Sequence, residues 1–256
     1  MPDVELLFLG TGTSYGIPVV GCKCSVCTSQ LNENKRLRCS ALVRYNGKNI
    51  LIDTSPDLRT QMLNGNISRL DAILFTHHHA DHLFGLDDIR IFNRIQNTKI
   101  PCFAPQKTTD MIYRNFDYIF KPPPLSDGGI PQIEIITVHK PFILYDRTII
   151  PIPVYHGKLP ILGFRIGSLA YITDCSFIPD ASMALLEGVE LLVLNGLRYT
   201  PHVAHYSIEE AVRVIEALKP KTAYLTHISH DVDHGNIDFP LPEYIQLAYD
   251  GLAVRV

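Results

Sequence analysis

One short stretch of the chain carries four side chains that can bind metal ions. It runs from Thr76 to His82 and presents His77, His79, Asp81 and His82 in the pattern His-x-His-x-Asp-His. Imidazole and carboxylate suit divalent zinc, manganese or iron. In an extended segment His77 and His79 would point the same way, which leaves Asp81 and His82 to face a second ion. The spacing therefore predicts two neighbouring metal positions.

An apolar run precedes this stretch and predicts the element that supports it. Residues 72–75 (AILF) have the composition of a buried strand, and a strand that ends in a short loop holds ligands on a rigid base. The position in mid-chain argues against an accidental histidine run. His78 is expected to be an exposed bystander.

Three more ligand-type side chains follow apolar runs that predict strands: His156, Asp174 and His227. The Thr-His pair at 226–227 repeats the pair at 76–77. Together the predicted strand ends supply five histidines and two aspartates. These are enough for two metal ions that share a bridging carboxylate and keep an open position for water. We therefore predict a binuclear centre assembled from four strand ends.

A cluster of thiols lies nearer the N-terminus. Cys22, Cys24 and Cys27 have the spacing Cys-x-Cys-x-x-Cys, which offers three thiolates from one short loop. A structural zinc ion needs a fourth ligand from elsewhere in the fold. Redox chemistry is the rival interpretation, but the thioredoxin-like context that it requires is not evident. The remaining cysteines are expected to be structural fillers: Cys39, Cys102 and Cys175.

The composition is that of an ordinary globular protein, because the 256 residues are 46% hydrophobic and 19% charged. One large α/β domain or two small domains would fit. No apolar run is long enough to span a bilayer and the N-terminus lacks a signal peptide's positive charge, so we expect a cytoplasmic protein without a membrane partner. The net charge of −3, without a Lys/Arg block, argues against a nucleic-acid partner, whereas a small phosphorylated substrate fits.

Turn and cap signals divide the chain into elements. Asn46-Gly47 predicts a hairpin between two strands, and a helix over 56–63 capped by Ser55 or Thr54 should follow. The next amphipathic pattern predicts a helix over 83–95.

Helix, loop and strand signals continue through the rest of the chain. A helix is predicted over 108–120, an irregular connection over 121–124 together with Gly128 and Gly129, and a run of strands from Ile133 onward. Ser207 and Glu210 form a capping box for a helix over 208–218. Gly10–Ser14 is not followed by Gly-Lys-Ser/Thr, so a tight turn is favoured over a phosphate-binding loop.

The ligand series resembles the metallo-β-lactamase superfamily over essentially the whole chain. Within that superfamily, Gly10–Ser14, the cysteine cluster and residues 225–231 look like the PhnP-type phosphodiesterases. The resemblance implies a four-layer αβ/βα sandwich in one domain over residues 1–256, with a binuclear metal centre and a separate structural zinc. It also implies hydrolysis of a small phosphodiester, such as a cyclic phosphodiester of ribose. Homodimers are common for this fold.

The resemblance assigns the catalytic zinc or manganese ligands in two sets joined by a shared carboxylate. One ion would be bound by His77, His79 and His156. The other would be bound by Asp81, His82 and His227. Asp174 would bridge them.

The structural zinc would be bound by three thiolates and one histidine. The thiolates are those of Cys22, Cys24 and Cys27. The histidine would be His230, which lies close to His227 in the sequence. His234 is the alternative fourth ligand.

Two further residues are assigned to the reaction. His205 matches the histidine of related phosphodiesterases, and its implied role is to protonate the departing alkoxide while hydroxide held by the metals attacks phosphorus. Asp53 ends the strand before the histidine stretch and would orient the first histidines or the water through hydrogen bonds. His202 and His234 are otherwise expected to be exposed.

Three rival functions are associated with all or part of the same ligand series. A tRNA 3′-processing endonuclease would carry a basic, glycine-rich arm, and the sequence has no matching segment. Hydrolysis of thioesters or lactams is disfavoured by His205 and the cysteine loop. A non-catalytic metal-binding protein like those of PQQ biosynthesis would lack parts of the binuclear ligand set, which is complete here.

Overall fold

The computed structural model describes residues 4–121 and 129–256. Within these residues fourteen strands form two seven-stranded sheets. The strands are β1 (Glu5–Gly10), β2 (Ser40–Tyr45), β3 (Lys48–Ile52), β4 (Ala72–Leu74), β5 (Ile100–Ala104), β6 (Ile133–Thr137), β7 (Phe142–Leu144), β8 (Arg147–His156), β9 (Leu159–Ile166), β10 (Leu169–Ile172), β11 (Leu191–Asn195), β12 (Thr222–Thr226), β13 (Ile245–Leu247) and β14 (Ala253–Arg255).

Helices cover the outer faces of both sheets. They are α1 (Leu58–Asn64), α2 (Ala80–Leu83), α3 (Arg90–Gln96), α4 (Gln106–Asn115), α5 (Asp117–Phe120), α6 (Asp180–Leu186) and α7 (Ile208–Leu218). Short 3-10 turns lie at Asn32–Asn34 and Leu86–Ile89. In the part of the chain that the structure describes, no helix is long and apolar enough to cross a membrane.

The sheets pack face to face and form the central layer of the core. The first has the order β14-β1-β2-β3-β4-β5-β6 and the second β13-β12-β11-β10-β9-β8-β7. Phe8 and Ile50 of one sheet share a cluster with Phe164 and Val193 of the other, and burial of each such side chain contributes roughly 1.5–3 kcal/mol. Separate apolar clusters join each sheet to its helices. The predicted four-layer αβ/βα sandwich is confirmed.

Two local predictions are confirmed by backbone geometry and contacts. Asn46 and Gly47 adopt positive φ angles of 49° and 70°, as a tight hairpin turn requires. Ser207 and Glu210 form the predicted reciprocal capping box. Helix α7 therefore has the predicted boundaries.

The predicted cap of the first helix is wrong. The helix begins at Leu58 rather than at residue 56, and its N-cap position is Asp57. Ser55 accepts the Asp57 amide proton before the helix begins, and the Thr54 hydroxyl donates to the Leu83 carbonyl, so neither residue caps the helix.

The single helices predicted over 83–95 and 108–120 are each broken. Gly85 packs so closely on the preceding loop that an added Cβ would meet the Ser55 carbonyl oxygen at 2.0 Å, and its amide donates to the Thr54 carbonyl. The second helix is interrupted at Phe116. Residues 122–128, which include most of the predicted irregular connection, lie outside the described residues.

The parallel strands place the predicted ligands along one edge. Strands β3 to β6 are parallel in the first sheet, as are β10 to β13 in the second. Their carboxyl ends meet at the same side, where the amide of Leu162 donates to the Thr76 carbonyl between the sheets. Side chains that follow these strands therefore converge.

Candidate metal centre

Three histidines come together at the ends of β4 and β8. One ligand atom each of His77, His79 and His156 lies within 4.8 Å of the others. Nδ1 of His156 donates to the Ala204 carbonyl at 2.7 Å, which leaves its other ring nitrogen free for a metal. Nε2 of His77 is buried without a hydrogen-bond partner in the described structure. This group corresponds to the first predicted ligand set.

A second group contains Asp81, His82, Asp174 and His227, whose ligand atoms also lie within 4.8 Å of one another. Oδ2 of Asp174 is 3.3 Å from Nε2 of His82 and 3.3 Å from Nε2 of His227. The same oxygen is 3.9 Å from Nε2 of His77, a member of the first group. One carboxylate oxygen therefore lies between the two groups.

The chemistry of these donors fits divalent metal ions. Nε2 of His82 and both ring nitrogens of His227 are buried and unpartnered among the described residues. A buried nitrogen without a partner costs about 1–3 kcal/mol, and so many of them facing carboxylates would be costly unless a cation bound them. The arrangement thus satisfies the ligand requirements of a metal centre.

The electrostatics also favour cations. Burial lowers the pKa of His82, but Asp174, Asp81 and Asp53 raise it well above its ordinary value. Burial raises the pKa of Asp174, but His227 and His82 hold it well below its usual range. Asp174 is therefore ionised beside these imidazoles, whereas burial raises the pKa of Asp53 despite the opposing effect of His82.

Asp53 contacts His82 of the second group directly and reaches His77 of the first group through the Thr76 hydroxyl. Its Oδ2 accepts hydrogen bonds from Nδ1 of His82 at 2.8 Å and from the Thr76 hydroxyl at 2.7 Å. The Thr76 oxygen lies 2.9 Å from Nδ1 of His77, so that ring nitrogen donates to Thr76. Asp53 lies outside both ligand groups, next to His82 and one hydroxyl away from His77.

The backbone is strained at three positions of the site. Asp53, Asp174 and His227 adopt positive φ angles of 62°, 55° and 56°. The left-handed region costs a residue with a side chain roughly 1–2 kcal/mol. Sequence reasoning missed this feature, since aspartate and histidine give no clear signal for it.

His205 lies between the two ligand groups. Its ring centroid is 4.5 Å from that of His156 and 4.8 Å from that of His227. Burial and the neighbouring His227 lower the pKa of His205 to about 3, so the unliganded imidazole is neutral at pH 7. It can then donate one N–H to a bound oxyanion.

The cysteine cluster lies next to a histidine from the other end of the chain. Nδ1 of His230 is 3.3, 3.6 and 3.5 Å from Sγ of Cys22, Cys24 and Cys27. The donor set of three thiols and one imidazole fits structural zinc. His234 lies outside this group and packs against Tyr249.

Two other histidines lie near the centre but outside the two predicted ligand sets. His78 is partly exposed, and its ring lies 5.6 Å from that of His79. His202 accepts the Ala204 amide proton at 3.2 Å through Nδ1. The hydroxyls of Thr76, Thr173 and Thr226 were missed as supporting groups, although the repeated Thr-His pair signalled two of them.

The comparisons with known proteins agree with the fold. A model of the beta-lactamase superfamily domain matches residues 48–228. A crystal structure of a diphosphatase of the PhnP family is 44% identical, with a TM-score of 0.92, and the match covers 99% of this chain and 97% of that one.

Two curated relatives differ in the functions that their names give. Octanoyltransferase of Porphyromonas gingivalis is 40% identical over 97% of this chain, but the chain spans only 51% of that protein. Ribonuclease Z of Anoxybacillus flavithermus is 24% identical, with the match covering 88% of this chain and 87% of the relative.

Proposed function

Because the chain belongs to the beta-lactamase superfamily and is a metal-dependent hydrolase, we propose that it hydrolyses a small phosphodiester at a binuclear metal centre. The observation that carries the proposal is the position of Asp174. Its Oδ2 approaches Nε2 of His82, His227 and His77 at 3.3, 3.3 and 3.9 Å. A carboxylate at this junction suits two ions rather than one.

The ligand sets are those predicted from the sequence, with the shared carboxylate between them. One ion would be held by His77, His79 and His156. The other would be held by Asp81, His82 and His227. When bound, two divalent ions lower the pKa of coordinated water and offset the negative charge that develops on a phosphoryl group.

The chain's own side chains would position the ester and its leaving group. His205 lies beside both ligand sets and can donate its N–H to a phosphate oxygen or to the departing oxygen. For His205 to transfer its proton as a general acid, the charge of the bound phosphate must raise its pKa from about 3.

Two observations support the substrate class: the net charge of the chain and the names of similar proteins. The net charge of −3 favours a small ester over a long polyanion. The 44% identical structure is named a diphosphatase, so a diphosphate linkage, also cleaved at phosphorus, belongs in the test. The octanoyltransferase relative is about twice as long as this chain. Thioester hydrolysis is therefore a rival to the proposed activity.

The test loads the protein with zinc or manganese and counts bound ions per chain. Hydrolysis of bis(p-nitrophenyl) phosphate is then compared with that of ADP-ribose, octanoyl-coenzyme A and a precursor tRNA. We expect three ions per chain, including the cysteine-bound zinc, and turnover of the phosphorus esters. Turnover of the thioester alone, efficient tRNA cleavage, or a single bound zinc would each overturn the proposal.

A further inference from the structure

The carboxylate that lies between the two ligand groups is itself held by a neighbouring hydroxyl. Oγ1 of Thr173 lies 2.6 Å from Oδ1 of Asp174, and both residues are almost fully buried. An ionised carboxylate has no proton to donate, so Thr173 is the donor. The bond occupies Oδ1 and leaves Oδ2, the oxygen nearest the imidazoles, free for metal ions.

The Thr173 hydroxyl contacts a buried thiol on its other side. Sγ of Cys39 is 3.5 Å from Oγ1 of Thr173, 3.2 Å from the Tyr171 hydroxyl and 3.5 Å from Oγ1 of Thr226. All four side chains are at most 1% exposed. Cys39 immediately precedes β2 of the first sheet. Its partners come from the second sheet: Tyr171 lies in β10, Thr173 directly follows β10, and Thr226 ends β12. The cluster therefore joins the sheets directly beneath the centre.

The directions of the hydrogen bonds in this cluster are argued from the bond between Thr173 and Asp174, whose donor is known. Because Thr173 gives its only hydroxyl proton to Asp174, its oxygen is left to accept, and the Cys39 S–H is a donor within reach. The sulfur can in turn accept the Tyr171 hydroxyl proton. With these directions, hydrogen bonds lead from Tyr171 through Cys39 and Thr173 to Asp174, and the Thr226 hydroxyl is a second partner within reach of the same thiol.

We infer that Thr173 is a positioning residue that selects which oxygen of Asp174 joins the two metal ions, with Cys39 holding the Thr173 hydroxyl in its donating orientation. This assigns a role to a cysteine that the sequence classed as a filler. The inference rests on the proposed binuclear centre. It predicts that the coupling between the two ions, rather than the fold, depends on Thr173.

The experiment uses the full chain loaded with manganese at the catalytic centre. Thr173→Val removes the donor at nearly constant shape, Thr173→Ser restores it, and Cys39→Ala removes the thiol. Bound Mn²⁺ is counted, its affinity is measured by chelator competition, and the exchange coupling of the ion pair is read from the electron paramagnetic resonance spectrum.

We expect Thr173→Val to weaken binding of one Mn²⁺ about 10- to 100-fold and to change the coupled spectrum. Thr173→Ser should keep the wild-type spectrum, and Cys39→Ala should weaken binding in the same direction by a few-fold. Unchanged affinity and coupling in Thr173→Val would overturn the inference while leaving the proposed function intact. A wild-type protein that never binds a coupled pair would overturn both.

Structural damage is distinguished by the separate cysteine-bound zinc and by the conservative variant. If Thr173→Val retains the cysteine-bound zinc and the wild-type circular dichroism, a spectral change reports the centre. If Thr173→Val does not fold, the other two variants decide the outcome. Wild-type Mn²⁺ affinity in Cys39→Ala together with a disturbed spectrum in Thr173→Ser would contradict the proposed roles of Thr173 and Cys39.

Discussion

Nδ1 of His82 donates to Oδ2 of Asp53 across 2.8 Å, and both side chains are at most 2% exposed. A carboxylate on the far nitrogen fixes the ring and makes the near nitrogen a better ligand. Asp53 also accepts the Thr76 amide proton through Oδ1, so His82, the Thr76 hydroxyl and the Thr76 amide all donate to it. An asparagine has one acceptor oxygen and would place its own N–H group against at least one of these donors. We predict that Asp53→Asn lowers metal affinity or turnover about 10- to 100-fold.

This substitution is preferable to alanine because Asp53 has a φ of 62°, a conformation that asparagine tolerates. Metal affinity and turnover should be measured over a range of Mn²⁺ concentrations. Excess metal should restore part of the activity if the loss is one of affinity. Wild-type affinity and turnover in Asp53→Asn would show that the contact does not orient His82.

Neighbouring histidines offer a matched pair for testing the ligand assignment. His79 belongs to a ligand group, whereas His78 does not. His79→Ala should reduce turnover by at least about 100-fold and should leave the cysteine-bound zinc in place. His78→Ala should retain near wild-type turnover. Metal counting and the hydrolysis assay check both variants, and equal losses in the two would refute the assignment.

A general-acid role for His205 predicts a dependence on the leaving group. Poor alkoxide leaving groups need a proton, whereas p-nitrophenolate departs without one. His205→Ala should therefore slow alkyl ester hydrolysis by about 100-fold or more and p-nitrophenyl ester hydrolysis much less. Rates for a series of esters with different leaving-group pKa values provide the measurement. A uniform loss across the series would instead indicate binding of the phosphate.

Apolar runs and ligand types predicted the strand ends and the ligand residues, whereas the four-layer arrangement and the division of the ligands into two sets were implied by the family resemblance. Thr76-His77 and Thr226-His227 marked two strand ends whose side chains converge. Helix boundaries failed where distant backbone decided them, as at Gly85 against Ser55. The interpretation of Cys39 as a filler missed its three hydroxyl neighbours, because they come from the other sheet.

The sequence left two histidines as candidates for the fourth zinc ligand of the cysteine site. His230 lies beside all three thiols, whereas His234 does not. His230→Ala should lose one zinc per chain and lower the melting temperature, since metal binding stabilises the folded state. His234→Ala should keep its zinc. Zinc analysis with thermal unfolding tests both, and loss of zinc only in His234→Ala would reverse the choice.

Asp71 should make stability depend on pH. Burial raises its pKa, but hydrogen bonds from Arg69, the Asn49 amide and Lys48 outweigh burial and hold the pKa below its ordinary value. Such a carboxylate stabilises the fold above its unfolded pKa of about 3.9, and the contribution is lost as the pH falls through the folded pKa.

Asp71→Asn should therefore lower the free energy of unfolding by about 1–2 kcal/mol at pH 7, and by progressively less below about pH 4. Urea unfolding of both proteins at matched pH and metal concentration measures the difference. Glu216→Gln, at an exposed carboxyl on α7, is the control and should change stability little at any pH. A difference between wild type and Asp71→Asn that stays constant down to pH 3 would contradict the role of the ionised carboxylate, because only a charged Asp71 receives charge-assisted hydrogen bonds from Arg69 and Lys48.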